Sequence, residues 1–153
     1  MRLLFAAILV AGISSPAWAT DCPNPQGWAK PERHLAARSP DMKFGLKPGG
    51  TAQIGLLDQN QVKFAVGKAT RKGYAGLAAL DVAKAGTLEI VLDNKTFVDL
   101  VRDGKALDLA SEPKGHGCPG VQKALDFKVT PGRYVVQLSG SPDKSVKMGT
   151  VLR

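Results

Sequence analysis

Aromatic residues are scarce in this chain, at 6% of its 153 residues. Few platforms for base stacking remain, which excludes most modes of single-stranded nucleic-acid binding. Two histidines and two cysteines exclude most zinc or transition-metal centres built from those side chains alone. No apolar run reaches the roughly 20 residues that span a hydrocarbon core. A G-x-S-x-G nucleophile elbow is missing, and so is a phosphate-cradling glycine loop ending in Lys-Ser/Thr. Acidic residues are the minority charge, 13 against 21 Lys and Arg, for a net charge of +8. What is present is ordinary: 44% hydrophobic and 22% charged residues describe one folded domain rather than a disordered chain or a coiled coil.

Residues 1–19 read as a secretory leader. Arg2 supplies the positive start, Leu3 to Ile13 carry no charge, Ser14, Ser15 and Pro16 break the run, and Ala17-Trp18-Ala19 is a small-x-small cleavage signature. Cleavage near Ala19 implies a periplasmic or secreted protein. Asp21, just ahead of Cys22, disfavours lipidation at that cysteine. Export also changes the reading of the cysteines. Thiols outside the cytoplasm tend to be oxidised, so Cys22 and Cys118 are expected to form one bridge closing a loop of about 97 residues. Two free thiols or an intermolecular disulfide are the alternatives.

Residues 20–50 form a proline-rich N-terminal arm, holding Pro23, Pro25, Pro31, Pro40 and Pro48. Proline removes a backbone donor, so this stretch is read as irregular, with room for one or two helical turns over Pro31–Ala37. Trp28 is its expected apolar anchor.

From residue 51 to 153 short Val-, Leu-, Ile- and Phe-rich runs recur between turn signals, the pattern of an all-β antiparallel sandwich of the jelly-roll or immunoglobulin-like type. Nine strands are expected: Ala52–Leu57, Val62–Val66, Gly76–Val82, Thr87–Leu92, Phe97–Arg102, Lys105–Leu109, Lys123–Val129, Arg133–Ser139 and Ser145–Leu152. Leu88, Ile90 and Leu92 share one face, as do Leu125, Phe127 and Val129, while Asp126 and Lys128 face water. Asp103-Gly104 predicts a two-residue hairpin turn.

Ala85-Gly86-Thr87-Leu88-Glu89-Ile90-Val91-Leu92 and the later Thr130-Pro131-Gly132-Arg133-Tyr134-Val135-Val136-Gln137-Leu138-Ser139-Gly140 resemble the bacterial pre-peptidase C-terminal family. The resemblance spans about residues 85–152. It implies a β-sandwich with a non-catalytic, accessory role. Two departures stand beside it: no catalytic domain precedes the module in this sequence, and the loop from Lys114 to Gly120 is foreign to the pattern.

Candidate site residues are few. His116 and Cys118 lie two apart among glycines, a spacing open to metal, with His34 as the other imidazole. A bridged Cys118 offers no thiolate, however, which leaves an exposed loop. Asp93, Asp103 and Asp108 fall in or beside turns, where Asp bonds its own backbone. Basic residues gather instead: Arg71 and Lys72 close a run begun by Lys63 and Lys68, and Lys114 and Lys123 flank Cys118. The expected function is thus an exported non-catalytic binding module without cofactor. Its expected contact surface is Lys114, His116, Cys118, Lys123, Arg71 and Lys72, facing an anionic polysaccharide, the envelope surface or an acidic protein. The competing readings are a small metal-binding protein or metalloenzyme using His116 and His34, and a surface merely kept soluble by its lysines.

Overall fold

A computed structural model describes residues 22–43, 45–69, 71–113 and 118–153. The expected leader with its cleavage point at Ala19, and Lys114 and His116 of the expected contact loop, lie outside the described residues. The strands are β1 (Glu32–Leu35), β2 (Gly45–Leu46), β3 (Thr51–Gly55), β4 (Leu57–Asp58), β5 (Tyr74–Val82), β6 (Gly86–Leu92), β7 (Phe97–Arg102), β8 (Lys105–Ala106), β9 (Lys123–Val129), β10 (Gly132–Ser141) and β11 (Ser145–Leu152), with one 3₁₀ turn at Gln59–Gln61.

Two sheets face each other. One runs β1-β3-β11-β6-β9; the other runs β2-β5-β10-β7-β8, with β4 also pairing β5. From β5 onward the long strands switch sheets at each connection, so neighbours in sequence pack face to face rather than edge to edge. Alternation explains the interior. Leu88, Ile90 and Leu92 of β6 meet Leu125 and Phe127 of β9, and Leu80, Val136 and Leu138 of the opposite sheet close over them. Each such side chain contributes about 1.5–3 kcal/mol by burial, before the entropy of ordering it is subtracted. The Asp103-Gly104 turn between β7 and β8 has positive φ at both residues, 51° and 72°, as its sequence predicts.

Five features differ from the sequence reading. The expected strand Ala52–Leu57 breaks after Gly55, with Thr51–Gly55 in one sheet and Leu57–Asp58 pairing β5 of the other. The arm contributes β1 and β2, each pairing in parallel, β1 on β3 and β2 on β5; the sheets are therefore mixed, and Pro31–Ala37 is extended rather than a helical turn. An edge strand needs a partner's free edge rather than a hydrophobic pattern, and β3 and β5 provide those edges. Val62–Val66 alternates like a strand but forms none, because Gln137 takes its hydrogen bonds: the amides of Ala65 and Val66 donate to Gln137 Oε1 at 2.8 and 3.2 Å, and Gln137 Nε2 donates to the Val66 carbonyl at 3.1 Å. Of Lys105–Leu109, the first two residues alone pair as strand. Lastly, the outer face of β6 is buried too. Cys22 and Cys118 form a disulfide with Cα atoms 5.5 Å apart, and it packs with Trp28 and Val121 onto Val91. Lys147 stacks 4.7 Å from the Trp28 ring centroid and donates to the Trp28 carbonyl at 3.2 Å, fixing the expected anchor.

Candidate anion-binding site

The basic run between β4 and β5 is held down at both ends. Gln59 Nε2 donates to the Arg71 carbonyl at 2.5 Å, and its Oε1 accepts from the Gly140 amide at 3.2 Å. Gln137, rooted in β10, holds Ala65 and Val66 as described. With its backbone fixed this way, the Arg71 side chain lies over Phe97, its Cζ 4.7 Å from the ring centroid. Lys123, at the first position of β9, places Nζ at the same 4.7 Å from the same ring. Two cations remote in sequence thus converge on one aromatic side chain that remains 36% exposed.

Local chemistry explains the convergence. Phe97 begins β7 directly opposite Ser139 of β10, at the margin of the sheet, where a ring cannot sink into the core. Gly140 follows with φ of 59°, and a Cβ there would stand 3.2 Å from Phe97 Cδ2 and 3.4 Å from Arg71 Cβ; its absence lets arginine and ring close up. Each cation–ring contact is worth about 0.5–2 kcal/mol, depending on how far water is excluded. Lys123 Nζ also donates to the carbonyl of Thr96 at 2.9 Å. Burial pushes the Lys123 ammonium below its usual range; Glu112 opposes that shift and Arg71 adds to it. Arginine keeps its charge under such crowding, and lysine is the member of the pair that yields.

Beside Phe97 opens a groove of about 360 Å³, lined by Phe64, Lys68, Phe97, Asp99, Gln137 and Ser139 among others. Asp99 and Gln137 are cross-strand partners, and Gln137 Nε2 donates to Asp99 Oδ2 at 3.0 Å. The groove therefore offers a carboxylate, a hydroxyl and an ammonium on the outer face of the β7/β10 pair.

Of the residues expected at a contact surface, Arg71 and Lys123 are brought together. Lys72 is exposed next to Arg71. Cys118 is 8% exposed and bridged, so it supplies no thiolate. His34 lies elsewhere. It stands on β1, with Nε2 3.5 Å from Glu32 Oε2, at the opposite edge of its sheet from β9, roughly 19 Å from Lys123 at about 4.8 Å per strand. Among the described residues no group of three or more His, Cys, Asp or Glu side chains is placed to hold a metal. A larger cleft of about 680 Å³ lies beside His34, with Lys30, Lys47 and Glu32 on its lining; its mixed charges define no single ligand sign. Sequence reasoning misses Phe97 and Gln137, and reaches Asp99 only as one of a run of carboxylates with Asp93, Asp103 and Asp108. Gln137 carried a signal, being an amide inside the apolar run Tyr134–Leu138.

No family model matches the chain, and no curated protein matches it. Among solved structures it is similar to the pre-peptidase C-terminal domain of collagenase from Bacillus anthracis. The identity is 14%, with 78% of this chain and 95% of that chain covered and a TM-score of 0.43. It is also similar to a β-glucosidase from Paenibacillus barengoltzii, at 15% identity over 77% of this chain but 13% of that one, with a TM-score of 0.32. Likeness at this level says nothing about a ligand.

Proposed function

We propose that this protein is an exported, non-catalytic binding module that engages an anionic partner through Arg71 and Lys123 around Phe97. Lys72, exposed beside Arg71, belongs to the same contact face. The observation that carries the reading is the convergence of two cations from distant parts of the chain onto one exposed ring. Like charges repel, and holding them together costs free energy that a bound anion returns. Burial first, and the neighbouring Arg71 after it, hold the Lys123 ammonium below its usual pKa range, and an anion beside it would favour the charged form. The +8 net charge would speed encounter with a polyanion from the periplasm or envelope surface. A leader-like N-terminus and a disulfide that seats the arm both favour a life outside the cytoplasm.

The test is retention on an immobilised polyanion such as dextran sulfate. The double variant Arg71→Glu/Lys123→Glu should bind at least about tenfold more weakly, since every 1.4 kcal/mol is tenfold, and its circular dichroism should stay that of the parent. Undiminished retention in the folded double variant would refute the reading.

A further inference from the structure

Resting on that reading, we infer that the ligand is an acidic saccharide, a sugar bearing a carboxylate or sulfate, whose hydroxyls enter the groove between Phe97 and the loop around Lys68. The argument begins with the mixture of groups. Arg71 and Lys123 present positive charge at Phe97, yet Asp99 and Ser139 sit in the adjoining groove. A bare anion has no donor to offer Asp99 and is repelled by it. A sugar acid satisfies both ends: its acid group meets the cations, while neighbouring hydroxyls donate to the Asp99 carboxylate and exchange hydrogen bonds with Ser139. Asp99 retains acceptor capacity, because one bond from Gln137 uses one of roughly four lone-pair positions.

The groove floor argues against an extended peptide. Strand-like peptides bind by adding to a free sheet edge. Here the groove lies on the outer face of the β7/β10 pair, with β10 paired on both sides by β5 and β7, so a chain seated on that face meets side chains rather than the unpaired edge of a strand. The lining combines polar side chains with the rings of Phe64 and Phe97, a mixture that instead matches a sugar ring carrying hydroxyls at its rim and C–H groups on its faces. The site is also set in advance. Gln137, 3% exposed, ties Asp99 to the Val66 carbonyl through one amide group, so binding orders little that is not already ordered.

The experiment compares polygalacturonate and dextran sulfate with uncharged dextran, poly-glutamate and polyphosphate, by calorimetry on the intact, disulfide-bonded protein. Tight binding is expected for one or both acidic glycans, with dextran, poly-glutamate and polyphosphate at least about tenfold weaker. Asp99→Asn and Ser139→Ala should each weaken the glycan several-fold and leave polyphosphate unchanged or tighter. If poly-glutamate or polyphosphate binds as well as the glycans, and Asp99→Asn is without effect on any of them, the saccharide inference falls while the anion-binding reading stands. If no polyanion binds, or Arg71→Glu/Lys123→Glu changes nothing, both fall. The ratio of carboxylated to sulfated glycan binding identifies the acid group.

Discussion

Gln137 shows how much one side chain can organise. It stands on a strand between Val136 and Leu138, both fully buried, and faces the outside of its sheet. There its amide accepts from two backbone amides and donates to a carbonyl and a carboxylate. That set replaces the ladder a further strand would have supplied, and it fixes the basic loop over Phe97. Gln137→Leu keeps a similar volume and deletes all four bonds. The expected cost is about 1–3 kcal/mol, the range for leaving partly buried polar groups unsatisfied. Urea denaturation should show the loss, and hydrogen exchange at Ala65 and Val66 should quicken while β5 and β10 stay protected. An unchanged midpoint with unchanged exchange would show that the loop is held by something else.

At the level of elements, strands were legible wherever one face alternates. Lys123–Val129 and Ser145–Leu152 match their expected limits, because Leu125, Phe127 and Val129, or Val146 and Met148, leave a single register that buries them. The arm was illegible for the converse reason. Glu32, Arg33, His34 and Leu35 are all exposed, so nothing in them repeats with period two, and β1 exists because β3 has an edge to fill. The site was half legible. Arg71 and Lys123 could be named from charge, but their meeting on Phe97 depends on how β7 and β10 register, which no local pattern encodes. Beyond β1, Arg133 locks the arm by a two-bond pair with Asp81, at 2.6 and 2.8 Å, and a bond to the Met42 carbonyl at 2.9 Å. The guanidinium holds the Asp81 carboxyl below its usual value. The disulfide is the arm's covalent tie, joining residues 96 apart in sequence. For a loop of that size the chain-entropy account gives about 4.7 kcal/mol, commonly realised as about 2–4. Cys22→Ser/Cys118→Ser should lose stability in that range by urea titration, and the reduced parent should match it. A reduced parent as stable as the oxidised one would overturn this account.

For the molecule as a whole, the arm's position on the sandwich matters more than its length. It passes along one side where both sheets would otherwise end in open strands. β1 covers β3; Ala37 bridges Leu77, and β2 joins Ala79 and Leu80, so the edge of β5 is covered as well. On the far side, Ala110 and Ser111 pair with Asp126 of β9, and the other sheet ends in the two-residue β8, which carries Lys105. Uncovered strands template association between copies. The arm covers edges that would otherwise be open to association, and removing residues 22–49 in a Cys118→Ser background should give concentration-dependent oligomers by size exclusion with light scattering. A truncated chain that fails to fold would blur that result, so a gentler variant carries the decision. Arg33→Pro/His34→Pro deletes a ladder donor from β1 whichever of the two residues bonds β3, and leaves the disulfide, Trp28 and β2 in place. Self-association rising with concentration, in a protein whose circular dichroism is unchanged, is the expected outcome. A strictly monomeric variant at the highest soluble concentration would mean that the edge of β3 is protected without its cover, with the exposed lysines and the +8 charge keeping copies apart instead; added salt would then release the association that charge suppressed.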